Sequence, residues 1–136
     1  MSKKIESDII TIDRPAGAIF HFLNDFNNFS YLVPDNVINW EASSDHCSFE
    51  IKGLATLGMS ITERQPDSRI VMKSEGKLPF DFLLISSIES ITPDTSKTQL
   101  IIDADMNPFI AMMAEKPLAT FVNTLAVKLK EVMEGR

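Results

Sequence analysis

Residues 107–135 read NPFIAMMAEKPLATFVNTLAVKLKEVMEG. The large apolar residues here are Phe109, Met112, Met113, Leu118, Phe121, Val122, Leu125, Leu129, Val132 and Met133. Most steps between them are three or four residues, the spacing that lines one face of an α-helix. Glu115, Lys116, Asn123, Thr124, Lys128, Lys130, Glu131 and Glu134 form the polar side. Asn107 suits the N-cap, and Pro108 suits the first turn, where its missing N–H has no partner to lose. Gly135 suits the stop, because helices often end on a residue with positive φ. Together these signals predict an amphipathic helix of about seven turns. Pro117 lies inside it and predicts a kink near Ala114 to Lys116. A helix this long needs a broad apolar surface to cover its stripe.

The preceding chain offers such a surface, because it alternates with the period of a β-strand. Ala55, Leu57, Met59 and Ile61 alternate with Thr56, Gly58, Ser60 and Thr62, the cleanest such run of the chain. Cys47, Phe49 and Ile51 alternate in the same way, as do Ile70, Met72 and Ser74, and then Leu100, Ile102, Ala104 and Met106. Val37 to Ala42 and Phe80 to Ile91 are further strands, the latter apolar on both registers in its first half. Lys4 to Asp13 is the first strand, with a bulge expected because Ile5 and Ile12 fall on opposite registers. Turns are expected at Ser43 to His46, Lys52-Gly53, Gln65 to Ser68, Gly76-Lys77-Leu78-Pro79 and Thr92 to Ser96. Between the first and second strands, Ala16 to Asn24 reads as a short helix, with Asp13 as its cap and Pro15 in its first turn. Asn27 to Pro34 reads as a second short helix or turn. The expected class is α+β: a curved seven-stranded antiparallel sheet wrapped around a long C-terminal helix, with two short helices between strands 1 and 2.

A length of 136 residues predicts one domain spanning 1–136. Hydrophobic content of 44% and charged content of 24% are those of a globular chain able to build a core. The net charge of −6 argues against a nucleic-acid or anionic-membrane surface, which needs a basic patch. Cys47 is the only cysteine, so no disulfide forms within the chain and a cysteine-based metal site is not expected. The N-terminal residues carry charge but no apolar run. No signal peptide and no integral membrane segment are therefore expected, which points to the cytoplasm.

This order of elements resembles the helix-grip fold of the START-like (SRPBCC) superfamily. That group includes the birch-pollen allergen family, START lipid-transfer domains and polyketide cyclase/dehydrase-like proteins. Three places carry the resemblance. Ile12-Asp13-Arg14-Pro15-Ala16 leads into Ile19-Phe20-His21-Phe22-Leu23-Asn24-Asp25, similar to the family's opening strand and first helix. Asn27-Asn28-Phe29-Ser30-Tyr31-Leu32-Val33-Pro34 is similar to its short second helix. The terminal helix is the third. The resemblance implies an apolar cavity between sheet and terminal helix, where members bind lipids, sterols, polyketides or hormones and a few carry out chemistry.

If the alternating apolar residues face the helix, Leu57, Met59 and Ile61 line the concave side of the sheet. Met72, Phe82, Leu84, Leu100, Ile102 and Met106 join them. Phe109, Met112, Met113 and Phe121 stand opposite on the helix. Met adapts its shape to varied partners, which suits an apolar pocket, although plain core packing accounts for any one of these residues. Trp40 and Tyr31 are the amphipathic aromatics, and either one at a pocket mouth can supply a hydrogen bond to a ligand's polar end, while core or rim packing accounts for them equally well.

Polar chemistry is sparse. His21 and His46 lack companions at metal-ligand spacing and read as solvated. Asp103 and Asp105 alternate with apolar residues and should point outward. Cys47 reads as a small buried residue. No nucleophile elbow or phosphate-binding glycine loop occurs. No catalytic residue, metal or cofactor is therefore expected. The leading function is binding of a small apolar or lipid-like ligand between sheet and helix. The alternatives are a cyclase/dehydrase-like enzyme using the same cavity, and a protein-interaction module with a filled core. The oligomeric state is left open.

Overall fold

The computed structural model describes residues 2–76 and 80–135, so most of the expected Gly76-Lys77-Leu78-Pro79 loop lies outside the described residues. The chain opens with β1 (Ser2–Glu6) and β2 (Ile10–Ile12), followed by helix α1 (Ala16–Leu23) and a 3₁₀ helix, Phe26–Tyr31. A meander follows: β3 (Val37–Ala42), β4 (His46–Ile51), β5 (Ala55–Gln65), β6 (Arg69–Ser74), β7 (Asp81–Thr92) and β8 (Thr95–Asp105). Helix α2 (Pro108–Met133) closes the chain. The strands form one sheet in the order β1-β8-β7-β6-β5-β4-β3, all antiparallel, with β2 paired to the other end of β8.

The sheet has eight strands rather than seven because the first expected strand is broken. Glu6 pairs with Ile101 but Ile10 pairs with Thr98, so one extra residue is taken up between them. The jog is pinned by Ser7, whose N–H donates to the Leu100 carbonyl at 2.8 Å and whose Oγ accepts from the Leu100 N–H at 3.0 Å. One added residue reverses the side-chain alternation, which is how Ile5 and Ile12 are both buried.

Two further bulges steer side chains. In β3 the register against β4 shifts between Ile38 and Glu41, and Asn39 adopts φ 57°. Asn tolerates this left-handed conformation better than most residues. In β5 the shift lies between Ile61 and Glu63. Beyond it Arg64 pairs with Ile70, and its guanidinium reaches two other elements. Arg64 Nε donates to Asn24 Oδ1 at 2.6 Å at the end of α1, and Nη2 pairs with Asp45 in the β3–β4 turn.

The helix ends follow local chemistry. Asn107 Oδ1 accepts from the Ile110 N–H at 2.9 Å, and the Gly135 N–H donates to the Val132 carbonyl at φ 78°. Helix α2 is continuous through Pro117, whose ring leaves the Met113 carbonyl without its usual N–H. The expected cap of α1 is corrected: Pro15, not Asp13, holds the N-cap position, and no side chain caps it. A carboxylate does cap the 3₁₀ helix, where Asp25 Oδ1 accepts from the Asn27 N–H at 2.9 Å.

One apolar core lies between the inner face of the sheet and the helices. Helix α2 runs closest to β8, β1 and β2, while α1 covers β7 and β6.

Candidate functional site

Helix α2 carries two apolar stripes where the sequence suggests one. Ala114, Leu118, Phe121, Val122, Leu125 and Leu129 are buried, with Ile110 and Ala111 partly buried against the core. Phe109, Met112 and Met113 stand on the opposite side, 70%, 82% and 56% exposed. The expectation that these three face the sheet is corrected. The reason is angular. Stepping back from Leu118 by four and then three or four residues reaches Ala114, Ala111 and Ile110, whereas Met113 to Leu118 is a step of five. Five residues turn a helix well past a full circle and onto another face.

The other expected lining residues do face inward. Leu57, Met59, Met72, Phe82, Leu84, Leu100, Ile102, Met106 and Phe121 are buried, and Ile61 is partly buried against the same core. They are packed together. Of the hollows found among the described residues, one lies beside Lys73, Asp81 and Asp103 and another beside Ser48, Thr56 and Glu75. Phe82 borders the first and Leu57 the second, while Met72, Leu84 and Phe121 border neither.

Helix α2 approaches β8, β1 and β2 most closely, and on the β3–β4 side of the sheet it meets the strands through large side chains. Aromatic rings fill the wedge on that side. Phe121 stacks on Phe49 of β4 with centroids 5.6 Å apart and planes 4° apart. Phe49 stacks on Trp40 of β3 at 5.1 Å, and Trp40 stacks on Phe29 of the 3₁₀ helix at 6.2 Å and 2°. Phe26 adjoins Phe29 at 5.3 Å. These spacings are those of favourable offset ring pairs. Phe29 and Phe49 were not among the expected site residues. For Phe49 the signal was present, since it alternates with Cys47 and Ile51. For Phe29 it was only an apolar position in a short helix.

The bulge at Asn39 is what brings Trp40 into this run. Val37 pairs with Ile51 and Ala42 with Cys47, so both lie on the inner register, and the register shift between them lets Trp40 share it. The ring is half-buried, and its Nε1–H is buried without an acceptor among the described residues. A buried donor without a partner costs roughly 1–3 kcal/mol. Ser86 Oγ and Thr98 Oγ1, inward on β7 and β8, are likewise buried without partners.

Charge is kept out of the core. The buried polar residues among those described are Ser7, Ser86, Ser96 and Thr98; an enclosed carboxylate, Glu134 with a side chain 6% exposed, pairs with Lys130 at the C-terminal end of α2. The Cys47 thiol lies at the wedge, and burial, aided by the charge of Glu75, pushes its pKa from 9.0 up to about 12 against the pull of a Met59 backbone hydrogen bond. It stays a neutral thiol near pH 7, a poor nucleophile. His46 is exposed and pairs through Nδ1 with Glu75 Oε1 at 3.0 Å on the outer face. Three His, Cys, Asp or Glu side chains placed to hold a metal ion are not found among the described residues. No helix among them is long and apolar enough to cross a membrane.

A curved antiparallel sheet gripping a long C-terminal helix is the helix-grip fold of START-like proteins. Solved structures share it over nearly the whole chain. A START superfamily protein from Mycobacterium smegmatis matches with a TM-score of 0.75 at 14% identity, covering 97% of each chain. Norcoclaurine synthase from Thalictrum flavum, in complex with dopamine and hydroxybenzaldehyde, matches with a TM-score of 0.74 at 10% identity, covering 100% of this chain and 88% of that one. The di-domain ARO/CYC BexL matches with a TM-score of 0.73 at 15% identity, covering 97% of this chain and 46% of that longer one. No family model matches the sequence, and no curated protein matches it either. The TM-scores establish a common fold, and at these identities the likeness is one of fold alone.

Proposed function

We propose that the protein binds a small apolar ligand in the wedge between α2 and β3–β5, among Trp40, Phe49, Met59 and Phe121. The observation that carries this reading is the buried Trp40 Nε1–H, which has no acceptor in the midst of stacked rings. A ligand enters by displacing side chains that now fill the space. It gains about 25 cal/mol for each Å² of apolar surface buried, less the costs of association and of repacking. A solved structure of the same fold, norcoclaurine synthase, is in complex with dopamine and hydroxybenzaldehyde, which supports ligand binding by this fold.

The methionines supply the test. Met59 is buried at the wedge, whereas Met112 and Met113 are exposed on the outer side of α2. Methyl-labelled protein titrated with a neutral naphthalene derivative should shift the Met59 methyl resonance and leave those of Met112 and Met113 in place. Shifts confined to Met112 and Met113 would overturn the proposal.

A second reading is favoured by one observation. Phe109, Met112 and Met113 form an exposed apolar cluster at i, i+3 and i+4, as a helix surface that meets another protein does. On this reading the filled core is structural and the outer face of α2 is the working surface. The same titration separates the two.

A further inference from the structure

We infer, resting on ligand binding at the wedge, that the ligand is uncharged and carries a hydrogen-bond acceptor, a carbonyl or ether oxygen on a flat ring system, held by Trp40 Nε1–H. Three observations converge on this class. First, the indole N–H is the unpaired donor of the wedge, so a ligand bringing an acceptor satisfies it, while a pure hydrocarbon leaves it unpaired. Second, the buried residues among those described include no cation to neutralise a carboxylate and no anion to neutralise an amine, the enclosed Glu134 side chain lying at the C-terminal end of α2 with Lys130 as its partner. Cys47 cannot serve as the anion, because burial holds its proton. A charged ligand entering this space loses its hydration without gaining a counter-charge. Third, the rings that now fill the space stack in near-parallel planes, 2° apart for Phe29 and Trp40 and 4° apart for Phe49 and Phe121, so a flat ring that displaces one of them restores the stacking it interrupts.

Trp40 is thereby the specificity-determining residue. Its ring contributes stacking to any flat ligand, and its N–H discriminates among them. These two contributions separate in Trp40→Phe, which keeps an aromatic ring and deletes the donor.

The test uses three probes with one ring frame: acetonaphthone, its hydrocarbon counterpart isopropylnaphthalene, and naphthoate. Trp40 is the only tryptophan, so a nitrogen–proton correlation spectrum carries one indole cross-peak that reports its hydrogen bonding. Acetonaphthone should bind up to about tenfold more tightly than isopropylnaphthalene, the discrimination one neutral hydrogen bond supplies. It should also move the indole proton downfield. Naphthoate should bind more weakly than either. In Trp40→Phe the ketone and the hydrocarbon should bind alike. Equal binding of ketone and hydrocarbon to the natural protein, with the indole peak unmoved, overturns the role of Trp40 and leaves ligand binding standing. Naphthoate binding as tightly as the ketone overturns the neutral class alone. Failure of all three probes to bind, or shifts confined to Met112 and Met113, overturns the wedge itself. The comparison within the natural protein decides the matter even where Trp40→Phe does not fold.

Discussion

Phe109 and Phe121 are the same residue type on one helix, and the structure assigns them opposite fates. Phe121 is 3% exposed and stacked on Phe49, while Phe109 is 70% exposed. Truncating Phe121 to Ala removes the burial of a phenyl ring and leaves a cavity under α2. Such changes cost about 3–5 kcal/mol, including the loss of the ring stack. A domain has roughly 5–15 kcal/mol of stability in total, so Phe121→Ala should remain folded but close to its limit. Phe109→Ala removes little buried surface and installs a better helix former, so its effect should lie within about 0.5 kcal/mol of zero. Urea unfolding followed by Trp40 fluorescence and by far-ultraviolet circular dichroism measures both. With a slope of about 1–3 kcal/mol per M, the Phe121→Ala midpoint should fall by at least about 1 M and the Phe109→Ala midpoint should hardly move. Costs that agree within about 1 kcal/mol, or a larger loss for Phe109→Ala, would refute the two-stripe account of α2 and with it the place of the wedge.

Three further outcomes follow from buried groups and backbone geometry. Thr98→Val replaces a buried hydroxyl that lacks a partner with a methyl of similar shape, and should raise stability by about 1 kcal/mol in thermal unfolding; a loss of that size instead would show that the hydroxyl is satisfied. Asn39→Gly should be neutral or mildly stabilising because of its φ of 57°, whereas Asn39→Val should cost about 1–2 kcal/mol, read from the same melts. Cys47 should react slowly with thiol reagents at pH 8 until the protein unfolds. Because folding raises its pKa from 9.0 to about 12, the folded state holds a proton that the unfolded chain releases in that range. The associated stability is fully present below pH 9 and is lost as pH rises toward 12. Unfolding measured from pH 8 to 11 should therefore show a steeper alkaline decline in the natural protein than in Cys47→Val, and identical slopes would remove the thiol from the account.

Local chemistry by itself determined most of the elements. Period-two runs placed β4, β5, β6 and β8, because a strand that covers a core on one face must alternate. Asn107, Pro108 and Gly135 marked the ends of α2, because capping and positive φ are satisfied within a few residues. The inward set from Leu57 to Ile102 was legible for the same reason. Tertiary structure alone decided the rest. The first turns of α2 offer two apolar stripes, and the sheet takes the one with Ile110, Ala111 and Ala114, because it continues the face of Leu118, Phe121 and Leu125 that packs against the core. That choice sends Phe109, Met112 and Met113 outward. The aromatic run joins rings at positions 29, 40, 49 and 121, brought together by a bulge, a short helix and a sheet that curls toward α2. No local pattern encodes that meeting, because its partners are far apart in the chain. The long helix was readable from its own residues, but which side of its first turns grips the sheet depended on the face that its later turns bury against the core.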